Sequence, residues 1–126
     1  RDGVLAGLNL LELMAIENKT LGQIIDGIMD ELGYFCYDRA DLHTVKAQEI
    51  VKELSTHPPR DFAGMAVSKV ETLDGLKFNF ADESWILFRA SGTEPLLRVY
   101  AEGRSDEQVK SLLLAGEKLV TGSANI

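Results

Sequence analysis

Hydrophobic residues recur at helical spacing over much of the first half of the chain and alternate with polar residues over most of the second half. The helical segments and their capping residues predict four helices, one from Asp2 to about Ile16 and three over residues 20–32, 44–54 and 105–120. Two of these helices begin with a capping box, in which Thr20 or Ser105 is followed three residues later by Gln.

Alternation with a period of two predicts most of the strands. The predicted strands are an aromatic strand at 34–37 and four consecutive strands at 65–72, 75–80, 84–89 and 96–102. Asp74-Gly75 is a hairpin sequence, and Leu76, Phe78 and Phe80 after it share one strand face. We therefore predict an α+β fold: a two-layer domain with a mainly antiparallel four- to five-stranded sheet, covering helices on one face, and one or two helices before it.

Three expectations concern the packing of particular segments. The first helix is apolar around nearly its whole circumference, so either it dimerises or its packing partner is absent from this chain. The helix over 44–54 should turn these residues inward: Val45, Ile50, Val51 and Leu54. Cys36 should be a buried small hydrophobe, whereas Asp38, Arg39 and Asp41 are expected in a solvated turn after the aromatic strand.

Composition and charge exclude several classes of function. The net charge of the 126-residue chain is −7 and the acidic excess extends over both halves, which makes a nucleic-acid-binding face improbable. A single cysteine excludes a disulfide framework and a cysteine zinc site, and neither histidine has a second ligand at metal-binding spacing. No apolar run approaches the roughly 20 residues that span a bilayer and no signal peptide is visible, so we expect a cytoplasmic protein without a membrane partner.

The polar stretch Arg-Ala-Ser-Gly-Thr-Glu-Pro at positions 89–95, between two predicted strands, is the candidate for binding chemistry. The guanidinium of Arg89 offers a fork of N–H donors that matches phosphate oxygens, and Ser91 and Thr93 add hydroxyl donors. Gly92 lacks a Cβ atom, so the backbone can turn tightly, approach a ligand and contribute N–H groups to an anion nest. These residues together predict a phosphate-binding loop.

A purely structural turn is the alternative interpretation of the same stretch. In that case Arg89 forms a salt bridge to Glu94 or Glu102, and the loop only joins two paired strands. The nucleotide P-loop pattern is absent. Arg98, in the following strand, either adds a second cation to the site or holds the loop.

The longer string FRASGTEPLLRVYAE at positions 88–102 resembles the C-terminal phosphate-binding motif of the α-D-phosphohexomutases, the phosphoglucomutase, phosphomannomutase and phosphoglucosamine mutase family. The opening string RDGVLAGLNLLE resembles the last helix of that family's third domain. The phosphoglucomutase/phosphomannomutase branch is the most similar. The resemblance assigns residues 1–33 to the end of domain three and its connection. It assigns residues 34–126 to a C-terminal phosphate-binding domain whose fold is like that of the TATA-binding protein.

The resemblance implies an isomerase that moves a phosphoryl group between the 1- and 6-hydroxyls of glucose or mannose phosphates. In that family a phosphoserine lies in domain one, a Mg²⁺ loop in domain two and a sugar-reading loop in domain three, and none of these motifs occurs here. The partners of this chain would be a hexose phosphate and the missing domains 1–3. It would contain no catalytic residue, would bind no Mg²⁺, and would have no mutase activity alone.

The motif also implies roles for particular residues. Arg89, Ser91, Gly92 and Thr93 would bind the phosphate that is not being transferred. Glu94 would turn away from that phosphate and orient Arg89 or Arg98, and Arg98 would support the site. The competing interpretation is a stand-alone phosphate-binding or protein-interaction module without catalysis.

Overall fold

The computed structural model describes residues 2–123, which divide into two compact units, one ending at Tyr34 and the other beginning at Phe35. The predicted boundary, between residues 33 and 34, lies one residue earlier. The assignment of the first segment to the end of another domain stays a prediction.

The first unit consists of helices α1, Gly3–Glu17, and α2, Leu21–Leu32. The Asp2 carboxylate caps α1 by accepting the amide N–H groups of Val4 and Leu5 at 3.1 and 3.0 Å. The predicted capping box of α2 is present. Neither helix buries a residue, so the apolar surface of α1 is exposed around the helix.

The second unit is an α+β two-layer domain, as predicted. Its elements are β1 Cys36–His43, α3 Ala47–Thr56, β2 Asp61–Phe62, β3 Met65–Ala66, β4 Lys69–Glu71, β5 Leu76–Asn79, β6 Trp85–Ala90, β7 Leu96–Gly103 and α4 Asp106–Ser123. The strands of the main sheet are antiparallel, in the order β1-β7-β6-β5-β4, and β2 and β3 form a separate two-stranded hairpin.

The core lies between one face of the main sheet and helices α3 and α4. The inward residues of β5, β6 and β7 are fully buried because their alternation is in register across the three strands: Leu76, Phe78, Ile86, Phe88, Leu97, Val99 and Ala101. Ile50 and Leu54 of α3 and Val109 and Leu112 of α4 complete the cluster. The opposite face of the sheet carries the polar and half-exposed side chains, which is where the candidate site begins.

Three local predictions were wrong in detail. Asp38, Arg39 and Asp41 lie within β1, which pairs with β7 along its full length, and not in a turn. An edge strand tolerates these charges because its outer face and edge meet water. Val45 precedes α3 and is exposed, since the helix begins at Ala47.

The predicted strand over 65–72 is interrupted. It consists of β3 and β4, and the residues between them turn the chain from the small hairpin into the main sheet. Val67 donates its amide N–H to the carbonyl of Arg60, whereas Ser68 donates to Asn79 of β5. The two halves therefore have different partners, which a period of two cannot reveal.

The hairpin between β5 and β6 is fastened to the start of α4. The carboxylate of Asp82 accepts the hydroxyl of Ser84 at 2.5 Å and the side-chain amide of Gln108 at 2.6 Å. The oxygen of that same Gln108 amide accepts the backbone N–H of Arg104 at 2.7 Å. The hydrogen bonds from Ser84, and next those from Gln108, hold the pKa of Asp82 below its usual range.

We expect Asp82→Asn to reduce the free energy of unfolding near neutral pH by about 1 kcal/mol, because the Asn amide would face the Gln108 amide donor. A lowered folded-state pKa gives stability that is present above the unfolded pKa of Asp82 and is lost as pH falls through the folded one. The difference between variant and wild type should therefore shrink on acidification below the usual aspartate range. Urea unfolding at several pH values measures it, with Asp26→Asn as control; a constant difference would contradict the assignment.

Candidate functional site

The loop between β6 and β7 is closed by backbone hydrogen bonds. Ser91 donates its amide N–H to Leu96 at 2.9 Å, and Leu96 donates to Glu94 at 2.8 Å. The carbonyl of Pro95 accepts the amide of Thr44, after the end of β1, at 2.9 Å. The loop is thus tied to its own strands and to the neighbouring edge of the sheet, although residues 92–95 are exposed.

Some of the hydrogen-bond donors that the sequence places in this loop are not used in hydrogen bonds among the described residues. The amide of Ser91 is committed to Leu96, and the amide of Thr93 lies 3.5 Å from the hydroxyl of Ser91. Within residues 2–123, neither the amide of Gly92 nor the hydroxyl of Thr93 has a hydrogen-bond partner. Gly92 and Thr93 are both exposed, so these two groups can donate hydrogen bonds to an anion without first breaking a hydrogen bond within the protein.

Gly92 does not adopt a left-handed conformation; the described glycines with positive φ are Gly33, Gly64 and Gly75. A Cβ atom built on Gly92 would meet nothing within 4 Å. The backbone at this position therefore does not require glycine to make the turn, contrary to one of the two reasons given for Gly92. The space beside the Cα atom of Gly92 is open.

Arg89 lies at the end of β6, on the sheet face opposite the core, and its side chain is half-exposed. Its Nε atom forms a salt bridge with Oδ1 of Asp74 at 3.3 Å. The alternative of a purely structural turn was wrong in the partner that it gave Arg89, Glu94 or Glu102. Glu102 lies opposite Trp85, at the other end of β6, and accepts the Trp85 indole N–H at 2.9 Å, whereas Glu94 is paired with Arg98. Asp74 lies 15 residues before Arg89 in a different turn, and no motif in the sequence links the two.

Arg98 of β7 lies directly opposite Arg89 of β6. The two arginines are therefore cross-strand neighbours on the sheet face that points away from the core. Glu94 of the loop contacts Arg98, with 3.1 Å between Oε2 and Nη2. The Nε atom of Arg98 is buried and has no hydrogen-bond partner within the described part of the chain. Of the two arginines that Glu94 was expected to orient, Arg98 is the one that it touches.

Gly75 fixes the turn that carries Asp74. Its φ of +116° lies in the region that side chains rarely adopt, and an added Cβ would approach the carbonyl oxygen of Phe88 to 2.4 Å. The hairpin between β4 and β5 therefore lies close against the end of β6 and sets Asp74 beside Arg89. The Asp-Gly pair was visible in the sequence as a turn, but its position beside Arg89 follows from the pairing of β5 with β6.

This arrangement provides two cations, two hydroxyl groups and an open amide in one region of the sheet. Each arginine is balanced by one carboxylate, Asp74 for Arg89 and Glu94 for Arg98. Such a set can bind an oxyanion through charge-assisted hydrogen bonds.

Two other features of the described residues bear on ligands. A groove of about 410 Å³ lies between the end of β1 and α4, lined by residues such as Leu42, His43, Lys118 and Val120, and the loop residues 91–95 do not line it. Among residues 2–123, no group of three or more His, Cys, Asp and Glu side chains could hold a metal ion. In the same range no helix is sufficiently long and apolar to cross a membrane.

Comparison with known proteins decides the family. The model of the phosphoglucomutase/phosphomannomutase C-terminal domain matches residues 38–115, a range that includes β6, the loop and β7. The chain belongs to this family.

Relatives of the family extend the match to nearly the whole chain. The phosphoglucosamine mutase of Methanococcus aeolicus is 36% identical over 98% of this chain, and the phosphoglucomutase/phosphomannomutase of Thermococcus kodakarensis is 31% identical over 95%. These matches cover 26% and 24% of the two relatives, so the chain spans about a quarter of their length. The two names differ in the sugar, so the matches identify the family and not the substrate.

A solved structure agrees with the fold. A phosphoglucomutase/phosphomannomutase family protein from Burkholderia thailandensis superposes with a TM-score of 0.57 over 78% of this chain and 20% of its own, at 18% identity. The likeness concerns the fold, since most of this chain has a counterpart in that structure.

The two glycines of this region should respond differently to alanine. Gly92→Ala should leave the free energy of unfolding within about 0.5 kcal/mol of wild type, because the added methyl group meets open space. Gly75→Ala should lower it by at least about 2 kcal/mol, since strain and a backbone clash combine. Thermal unfolding followed by circular dichroism measures both variants, and similar losses would contradict this geometry.

Proposed function

We propose that this chain is the phosphate-binding C-terminal part of a phosphohexomutase, and that its β6–β7 loop binds the phosphate that is not being transferred. The observation that carries the proposal is the pair of opposed arginines, Arg89 and Arg98, beside a loop with an open amide and hydroxyl donors. The family match includes all of these residues.

Each residue has a distinct part in the proposed site. Arg89 supplies the main charge through its fork of N–H donors, and Ser91 and Thr93 donate hydroxyl hydrogens to the remaining phosphate oxygens. Gly92 allows the backbone to approach and donates its N–H. Arg98 and Glu94 form a supporting ion pair behind the loop.

The proposed contribution to the reaction is positioning and charge stabilisation, without covalent chemistry. A site that reads a phosphate group and not the sugar can hold either end of a bisphosphorylated hexose, which an exchange between the 1- and 6-positions requires. Holding that end fixes the distance and direction of the other end relative to the reacting groups. Hexose phosphates of glucose or mannose are the proposed substrates.

The Mg²⁺ of such enzymes would be bound by another part of the protein. The described residues of this chain offer no cluster of carboxylates and histidines that fits the ion. No step proposed for this chain therefore passes through the metal, and its residues act only on the distal phosphate.

An amide NMR titration with glucose 6-phosphate tests the binding role. Chemical-shift changes should concentrate at residues 89–95, because the open donors lie there, and Arg89→Ala should abolish them at millimolar ligand. Arg39→Ala is the matched control, since Arg39 lies on the same sheet with a similarly exposed side chain, 51% against 50% for Arg89, and its own carboxylate partner. Shifts that persist in Arg89→Ala, or that spread evenly in wild type, would contradict the proposal.

The chain alone should not convert glucose 1-phosphate to glucose 6-phosphate, since it offers binding groups but no phosphoryl donor. A coupled assay for the 6-phosphate product at high protein concentration measures this. The control is the same assay with a longer protein that contains this chain, in which Arg89→Ala should lower kcat/KM by at least about 100-fold. Turnover by the 126-residue chain would refute the assignment of a purely binding role.

A further inference from the structure

The salt bridge between Asp74 and Arg89 places a carboxylate at the cation on which the proposed phosphate site depends. Oδ1 of Asp74 lies 3.3 Å from Nε of Arg89, and the two side chains are 69% and 50% exposed. Within residues 2–123, Asp74 is the one ion-pair partner of Arg89. The pair is therefore in contact with solvent and open to an incoming anion.

The position of Asp74 is fixed by the backbone, and not by the salt bridge. Gly75 holds the β4–β5 turn against the end of β6 through its positive φ and its close approach to Phe88. The pairing of Leu76 with Phe88 continues this contact along β5. The carboxylate therefore remains near Arg89 whether or not the two side chains are paired.

We propose that Asp74 is a competing counter-ion that weakens phosphate binding at Arg89 and so speeds release of the phosphate. The inference rests on the proposed function of the loop and adds a residue outside the loop to it. Glu94 has a different part, because it is paired with Arg98.

Two electrostatic effects of Asp74 act in the same direction. A phosphate that binds Arg89 must either displace the Asp74 carboxylate from Nε or share the guanidinium with it. Both cost part of the free energy of phosphate binding. A phosphate dianion held there also lies close to a second negative charge, and the two repel. A site that must let go of one phosphate and take up another gains from both effects, because tight binding would slow the exchange.

The test is the affinity for inorganic phosphate, measured by NMR titration at a mildly alkaline pH where phosphate is mainly the dianion. Asp74→Asn should bind at least about threefold more tightly than wild type, because the variant removes the charge but keeps a residue that suits the turn. Asp61→Asn, an equal change of charge on an exposed residue of the separate hairpin, should bind like wild type. A damaged fold would weaken binding, so a gain cannot arise from misfolding.

Each outcome decides a different point. Equal or weaker binding by a folded Asp74→Asn, with wild type binding normally, overturns the role of Asp74 and leaves the proposed function intact. Absence of binding by wild type overturns the proposed function, and the role of Asp74 with it. Should Asp74→Asn fail to fold, Asp74→Ser removes the same charge, and the same gain is expected.

In a longer protein that contains this chain, Asp74→Asn should lower KM for the hexose phosphate and lower kcat where release limits turnover. A purely structural turn residue would not produce this split, since loss of structure raises KM or lowers kcat alone. Unchanged values of both constants would overturn the role in catalysis.

Discussion

The antiparallel pairing of β6 with β7 is the constraint on which the rest of the domain depends. The register sets Phe88 opposite Val99 on the core face and Arg89 opposite Arg98 on the other face. A shift of β6 by one residue would turn Arg89 toward α3 and α4 and bring Phe88 to the solvent. Burial of the aromatic residues therefore also holds the two like charges together, at a cost that Asp74 and Glu94 offset.

The sequence was sufficient for the fold class and for most elements. The period of two in β5 to β7 and the period of 3.6 in α4 are strong because each of these elements has one buried and one more exposed face. The period of 3.6 is equally clear in α2, although that helix buries no residue. The prediction was weakest at β1, where charges occupy the exposed positions of an edge strand, and at β3 and β4, where one polar-apolar alternation continues through a change of pairing partner.

The residues of the candidate site that follow one another in the sequence could be predicted, whereas those that meet only through the fold could not. Arg89 to Pro95 is one continuous stretch, and its residue types alone fit either a phosphate-binding loop or a structural turn. The resemblance of the longer string to the phosphohexomutase motif favoured the phosphate-binding loop. Asp74 lies in a different hairpin and reaches Arg89 only because β5 pairs with β6. Such a contact depends on register and on the left-handed backbone of Gly75, and neither is encoded by the spacing of residues within the motif. Asp82 of the β5–β6 hairpin and Gln108 at the start of α4 likewise meet only because the fold brings these two elements together.

The charges of β1 have a consequence for how copies of this chain meet. As one of the two edge strands of the main sheet, β1 has no strand partner on one side, and there the amide N–H of Arg39 is donated to the carboxylate of Asp38 at 2.7 Å. A bare edge of this length is a template for a strand of another molecule, and such pairing leads to aggregation. Asp38, Arg39 and Asp41 place both signs of charge along that edge, so a second strand would have to bring its own charges to match them. The residues that most resembled a turn thus make this edge a poorer template for a second strand.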